Sequence, residues 1–247
     1  AERLQKALVG EASVYLGADR VLQLSEPLAA DKLDRAHADG LRTARTTLFP
    51  TMIYPSGTDS ERMVLAALKA VSEHYPLRGE LEIRDRNGNT HTSRQGPPTG
   101  SVWVDANILS QLDVSLGQSV DIGNSRFVIE HVLTREGDAG SSFYGMGARV
   151  MLNDSDLPAT GLILPGSRVE YRYLFAGDDL ALDRYFAWLK PQLAQNARII
   201  TLEDNQPGIA GALDKAALFL RLAGSLGVLL AALAAGFAAR YAAWSFL

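Results

Sequence analysis

At 247 residues the chain can bury a substantial core, and its length suits one or two domains. It is 47% hydrophobic and 21% charged with a net charge of −4, and its basic residues are interleaved with acidic ones, which argues against nucleic acid as a partner. The chain has no cysteine, which excludes disulfides, thiolate metal sites and a cysteine nucleophile. No signal peptide is visible at the N-terminus, so an extracytoplasmic body would have to be carried out by sequence upstream.

Residues 1–14 read as a helix, with Leu4, Leu8, Ala12 and Tyr15 on one face. A strand is expected over Tyr15–Leu24, a helix over 27–40 that stops at Gly40, and an alternating strand over 42–54. The stretch RMVLAALKAV (62–71) suits a helix by composition and a strand by its position between turn signals. Residues 79–84 read as extended, Asn87-Gly88 as a hairpin turn, and Gln95–Gly100 as a Pro-Gly linker.

After the linker the pattern changes. Short strands, a short helix in NILSQLDV, and turns at Leu116-Gly117 and Asn124-Ser125 follow closely, as in a small β-rich module. Residues 137–147 read as a loop carrying Phe143, Tyr144 and Met146, and ARVMLN as a strand. SRVEYRYLFA then alternates, placing Arg168, Glu170 and Arg172 on a solvated face behind Val169, Tyr171 and Tyr173. An amphipathic helix capped by Asp178 or Asp179 and a final strand, ARIITL, complete an α+β body. In this division 15–95 and 165–206 are two halves of an α/β part, and 96–164 is a β-rich insert.

The tail differs in kind. All 28 acidic residues lie at or before Asp214, and Leu222–Ala239 is a run of 18 uncharged residues between Arg221 and Arg240. As a helix it would span roughly 27 Å, close to a bilayer's hydrocarbon thickness. It is apolar on every face, and Gly224, Gly227, Ala231 and Gly236 would let neighbouring helices approach closely. Residues 207–247 are therefore expected to form a stalk and transmembrane helix, with residues 1–14 as the matching stalk from a preceding span.

Little in the sequence points to catalysis. There is no G-x-x-x-x-G-K-[ST] loop for ATP, and Gly145-Met146-Gly147 lacks the rest of a dinucleotide fingerprint. His37, His74, His91 and His131 lack metal-ligand spacing, so neither a metal nor a cofactor is expected. Ser141 or Ser142 could be grouped with His131 and Asp138 as a hydrolase triad, but no G-x-S-x-G supports it. Phe143, Tyr144 and Met146 are instead candidates for an adaptable apolar contact with substrate or partner, the competing reading being a loop folded onto its own core.

Four phrases carry a family resemblance in order along the body: YLGADRVLQLSEPL (15–28), HYPLRGEL (74–81), SVWVDANILSQLDVSLGQSVDIGNSRFVIEHVL (101–133) and RVMLNDSDLPATGLILPGSRVEYRYLFAG (149–177). Together they resemble the first large periplasmic domain of FtsX-like, MacB-type ABC transporter permeases, most closely the YbbP group. The resemblance implies a porter-like α/β subdomain with an inserted β-rich subdomain, residues 15–206 lying in the periplasm of a bacterium with an inner membrane. It also implies a cytoplasmic ATP-binding subunit as partner, contact with membrane lipid, hydrophobic or lipid-like cargo, and a periplasmic thioesterase or lysophospholipase as a further partner. Such a chain is not itself an enzyme; it transmits motion. The family pattern continues beyond the span with a charged cytoplasmic segment, where this sequence reads YAAWSFL. A single-pass, membrane-anchored adaptor is the alternative reading.

Overall fold

The computed structural model describes residues 16–57, 62–138 and 148–201, all within the unit Ala1–Leu202. The expected stalks and span (1–14 and 207–247) lie outside the described residues. Among the described residues no helix is long and apolar enough to cross a membrane.

The chain runs β1 (Arg20–Leu24), α1 (Ala30–Ala38), β2 (Arg42–Pro55), β3 (Val64–Val71), β4 (Leu81–Arg84), β5 (Thr90–Ser93), β6 (Ser101–Val104) and α2 (Ala106–Leu112). It continues with β7 (Ser119–Ile122), β8 (Ser125–Arg135), β9 (Ala148–Asn153), a one-turn α3 (Leu157–Thr160), β10 (Glu170–Ala176), α4 (Asp179–Leu189) and β11 (Arg198–Ile200). The strands pair in the order β11-β1-β10-β2-β3-β9-β6-β8-β4-β5, and β7 bridges β2 and β8. The α+β expectation holds, with one mixed sheet through the whole body.

That bridge closes part of the sheet on itself. β2, β3, β9, β6, β8 and β7 are each paired with the next, and β7 returns to β2 through Ile53–Pro55 against Val120–Ile122. The interior of this small barrel is filled by alternate residues, among them Phe49, Ile53, Leu68, Val102, Val120, Ile122, Phe127 and Val150, and Ile108 and Leu112 of α2 complete the core. The barrel thus takes β2 and β3 from before residue 96 as well as β6 to β9 from after it. The β4–β5 hairpin extends from β8.

The ambiguous stretch 62–71 is a strand. Its Ala, Leu and Lys favour helix locally, but β3 gains backbone partners on both edges, antiparallel to β2 and parallel to β9. Val64, Ala66, Leu68 and Ala70 enter the barrel core, so tertiary pairing overrides propensity.

β2 belongs to both parts of the sheet. Its first half pairs β10 from Arg42 to Leu48, and its end pairs β7 from Ile53. Pro50 sits in the gap, where that edge of β2 has no strand partner, a position that tolerates a missing N–H. On the open part, α1 and α4 cover one face through Ala36, Leu182, Tyr185, Phe186 and Leu189 against Leu22, Tyr173 and Phe175. Asp178 is the α4 cap, its carboxylate accepting from the Leu180 amide at 3.1 Å.

Three details differ from the sequence reading. β1 starts only at Arg20, because Leu16–Asp19 forms a turn. The β7–β8 turn is Gly123-Asn124, one residue earlier than expected, since Ile122 pairs with Ser125. The face bearing Arg168, Glu170 and Arg172 is not simply solvated: Arg172 is only 2% exposed. β10 is an inner strand between β1 and β2, and its second face is also covered, with Leu174 and Ala176 packed against Leu16, Tyr75 and Leu77.

Gly123 combines φ +58° with a close backbone approach: a Cβ there would lie 2.2 Å from the Thr160 carbonyl oxygen. Gly40, at φ +80°, has open space around it. Gly40→Ala is therefore expected to cost about 1–2 kcal/mol from backbone strain alone, and Gly123→Ala clearly more. Urea unfolding of the two variants checks this order.

Candidate functional site

The face of the sheet turned away from the barrel core and from the helices carries a second apolar cluster. It contains Ala44, Val71, Tyr75, Trp103, Leu133, Met151 and Leu174. In the middle of this face, at a position where alternation calls for an apolar residue, β3 places Lys69, 6% exposed. Its ammonium donates to Asp138 Oδ1 at 2.7 Å and to the Tyr75 hydroxyl at 2.6 Å, and that hydroxyl donates to the same Asp138 oxygen at 2.6 Å. Lys69 Nζ also lies 4.5 Å from the centre of the Tyr75 ring.

Asp138 and Glu136 come from the segment directly after β8, and both are buried. Glu136 lies between two cations, 3.6 Å from Lys69 and 3.6 Å from Arg149 of β9, and Arg149 also reaches Asp105 at 3.4 Å. On β10, Arg172 donates to Glu170 at 2.5 Å, and its charge acts on both Tyr75 and Asp138. The network thus joins β3, the turn after it, the end of β8, β9 and β10.

Burial pushes the Tyr75 hydroxyl well above the usual tyrosine range, and the Asp138 charge adds to this, so it stays a neutral donor. Burial would also raise the Asp138 carboxyl, but the charge of Lys69 and the hydrogen bonds from Lys69 and Tyr75 outweigh it and hold Asp138 below its ordinary value. Glu136 goes the other way. Burial raises it, Lys69 and Arg149 offset that only in part, and Asp138 repels it.

Beside this network lies an open cleft of about 920 Å³ walled by the 74–80 segment, the β4–β5 hairpin and residues 135–137. Arginines are prominent in it, yet Arg78 is held by Asp19 at 2.8 and 2.9 Å, Arg94 by Glu80 at 2.8 Å and Arg135 by Glu82 at 3.3 Å. Three of the cleft's four arginines are thus paired with carboxylates, while Arg42, also on its wall, reaches the Leu77 carbonyl oxygen at 3.5 Å.

The residues singled out from sequence are not gathered here. Phe143, Tyr144 and Met146, and the helix-packing set Gly224, Gly227, Ala231 and Gly236, lie outside the described residues, as do Ser141 and Ser142. His131 packs edge-on against Trp103 at 5.6 Å and lies 3.6 Å from Glu130, while Asp138 is committed to Lys69 and Tyr75. Among the described residues no group of three or more His, Asp or Glu is placed to hold a metal ion. The network itself was missed in sequence. Its one signal was Lys69, a lone charge inside the apolar strand VLAALKAV.

Removing Lys69 alone leaves Asp138 buried without its ammonium partner. Lys69→Met is expected to cost about 3–5 kcal/mol, whereas Lys69→Met with Asp138→Leu recovers much of that loss. Denaturant midpoints of the two variants measure the difference.

No protein-family model matches the chain. An uncharacterized ABC transporter permease YbbP of Escherichia coli (strain K12) is 31% identical over 230 residues, which is 93% of this chain and 27% of that protein. The chain therefore spans about a quarter of the length of that curated relative. Among solved structures, the periplasmic region of MacB from Actinobacillus actinomycetemcomitans superposes with a TM-score of 0.46 at 11% identity, covering 82% of this chain and 98% of that one. The extracellular domain of the noncanonic ABC-type transporter YknZ from Gram-positive bacteria gives 0.48 at 10% identity, covering 74% and 100%. The resemblance read from the four phrases is borne out: over nearly its whole length, this chain is similar to one stretch of a YbbP-type ABC transporter permease.

Proposed function

We propose that this chain is an extracytoplasmic body of an ABC transporter permease, a non-catalytic element that passes movement between membrane helices and cargo. The observation that carries the reading is the 31% identity to the YbbP permease across 93% of the chain. On this reading residues 15–206 lie outside a bacterial inner membrane, ATP is hydrolysed by a separate cytoplasmic subunit, and the cargo is hydrophobic or lipid-like. Residues 1–14 and 207–247 are the stalks, the latter continuing into a span. A periplasmic thioesterase or lysophospholipase is a candidate partner.

The fold is consistent with mechanical work. Hydrogen bonds run without a break from β11 to β5, and the shared strand β2 ties the open sheet to the barrel. Load applied to one part is met by shear of paired strands rather than by bending of a loop. The charged network adds ties on one face between β3, β9 and the segment after β8.

The test is made on the complete permease, co-expressed with its ATP-binding subunit and reconstituted in liposomes. Replacing residues 16–201 by a flexible linker is expected to leave the complex assembled but to uncouple its ATP hydrolysis from regulation by this body. Purification without any ATP-binding subunit would overturn the reading and favour the membrane-anchored adaptor.

A further inference from the structure

The network as a whole holds more negative than positive charge, although its fully buried members, Lys69 and Arg172 against Glu136 and Asp138, are two of each sign. Among the described residues, the carboxylates Glu136, Asp138, Glu170 and Asp105 face the cations Lys69, Arg149 and Arg172. One carboxylate is thus in excess once the part-buried Arg149, Asp105 and Glu170 are counted, and an unbalanced charge costs most at the buried positions. The geometry shows which one bears the excess. Asp138 accepts two short hydrogen bonds, and Glu170 accepts one from Arg172. Asp105 caps α2, accepting from the Asn107 amide at 3.0 Å. Glu136 is 7% exposed, its two cations stand at 3.6 Å, and its buried Oε2 has no hydrogen-bond partner among the described residues. Glu136 also lines the open cleft, so water has a route to it.

We propose that Glu136 is a proton-binding site, and that a proton taken up from the cleft balances the network and stabilises the body around it. The proton comes from solvent and binds the Glu136 carboxylate, and no other ion need enter or leave. Lys69 is then committed wholly to Asp138 and Tyr75, and Arg149 to Asp105. The groups facing Glu136 are Lys69 on β3, Tyr75 in the turn after it, Asp138 beside it, and Arg149 on β9 with Asp105 behind. This inference does not depend on the transporter reading.

The sign follows from the two carboxylates. Glu136 is raised above its ordinary 4.5, so its contribution to stability is fully present below 4.5 and is lost as pH rises through the folded-state value. Asp138 is lowered from 3.8, so its contribution is present above 3.8 and is lost as pH falls through its depressed value. The network is therefore firmest between the two, and it loosens on the alkaline side through Glu136.

The test is a pH series of urea unfolding on the full chain in detergent micelles, comparing the wild type with Glu136→Gln. The wild-type midpoint is expected to rise as pH falls from neutral toward 4.5. Glu136→Gln, which fixes the uncharged form, should unfold at a higher midpoint than the wild type at neutral pH and should lose that part of the slope. The difference between the two proteins is the quantity read. Should the variant fail to fold, carbon-13 NMR of glutamate-labelled wild type takes its place, with one buried carboxyl expected to titrate above the rest. A wild-type slope retained in Glu136→Gln, or glutamates that all titrate at the ordinary value, would overturn the proposal.

Discussion

Burying the Lys69 ammonium constrains everything around it. An ion withdrawn from water must regain its lost hydration from neighbours at hydrogen-bond distance, or the fold does not tolerate it. Here the neighbours come from two places in the sequence: Tyr75, six residues on, from the turn after β3, and Asp138, 69 residues on, from beyond the end of β8. Each is useful only if the strands carrying it are in register, so the network enforces the pairing order that brings them together. A hydrophobic residue at position 69 would pack almost anywhere, whereas a lysine accepts one arrangement.

Arg172 brings the open sheet to the same network through the effect of its charge on Tyr75 and Asp138. β3 is a barrel strand, while Arg172 stands on β10, beyond β2. The backbone already connects them through β2, but a twisted sheet yields easily to bending between strands, and cross-ties on its face resist that motion. In a body read as a transmitter of movement, that stiffness matters more than a binding pocket. The pairing of three of the neighbouring cleft's arginines with carboxylates agrees with this emphasis.

The elements were largely legible in the sequence because local chemistry marked them. Asp178 before α4, Gly40 after α1 and Asn87-Gly88 between β4 and β5 all act within a few residues. Closure of the barrel was not legible. It depends on Ile53–Pro55 meeting Val120–Ile122, and the alternating patterns of β2 and β7 do not say which strands will pair. The face of β10 failed for a related reason: an Arg-x-Glu-x-Arg alternation reads as exposed unless partners from elsewhere cover it, and Arg172 finds them. The site was the least visible part. Lys69 and Tyr75 lie in one stretch of the sequence and Glu136 and Asp138 in another, and only the fold shows that the two stretches meet.

Native-state hydrogen exchange tests most directly whether the network joins the two parts of the body. In the wild-type chain the account predicts that amides of β3 and β9 and amides of β1 and β10 exchange through one shared opening, with a common free energy. In Lys69→Met that shared opening should separate into two, with β1 and β10 losing protection first. Two independent openings already present in the wild type, and unchanged by the substitution, would contradict the account.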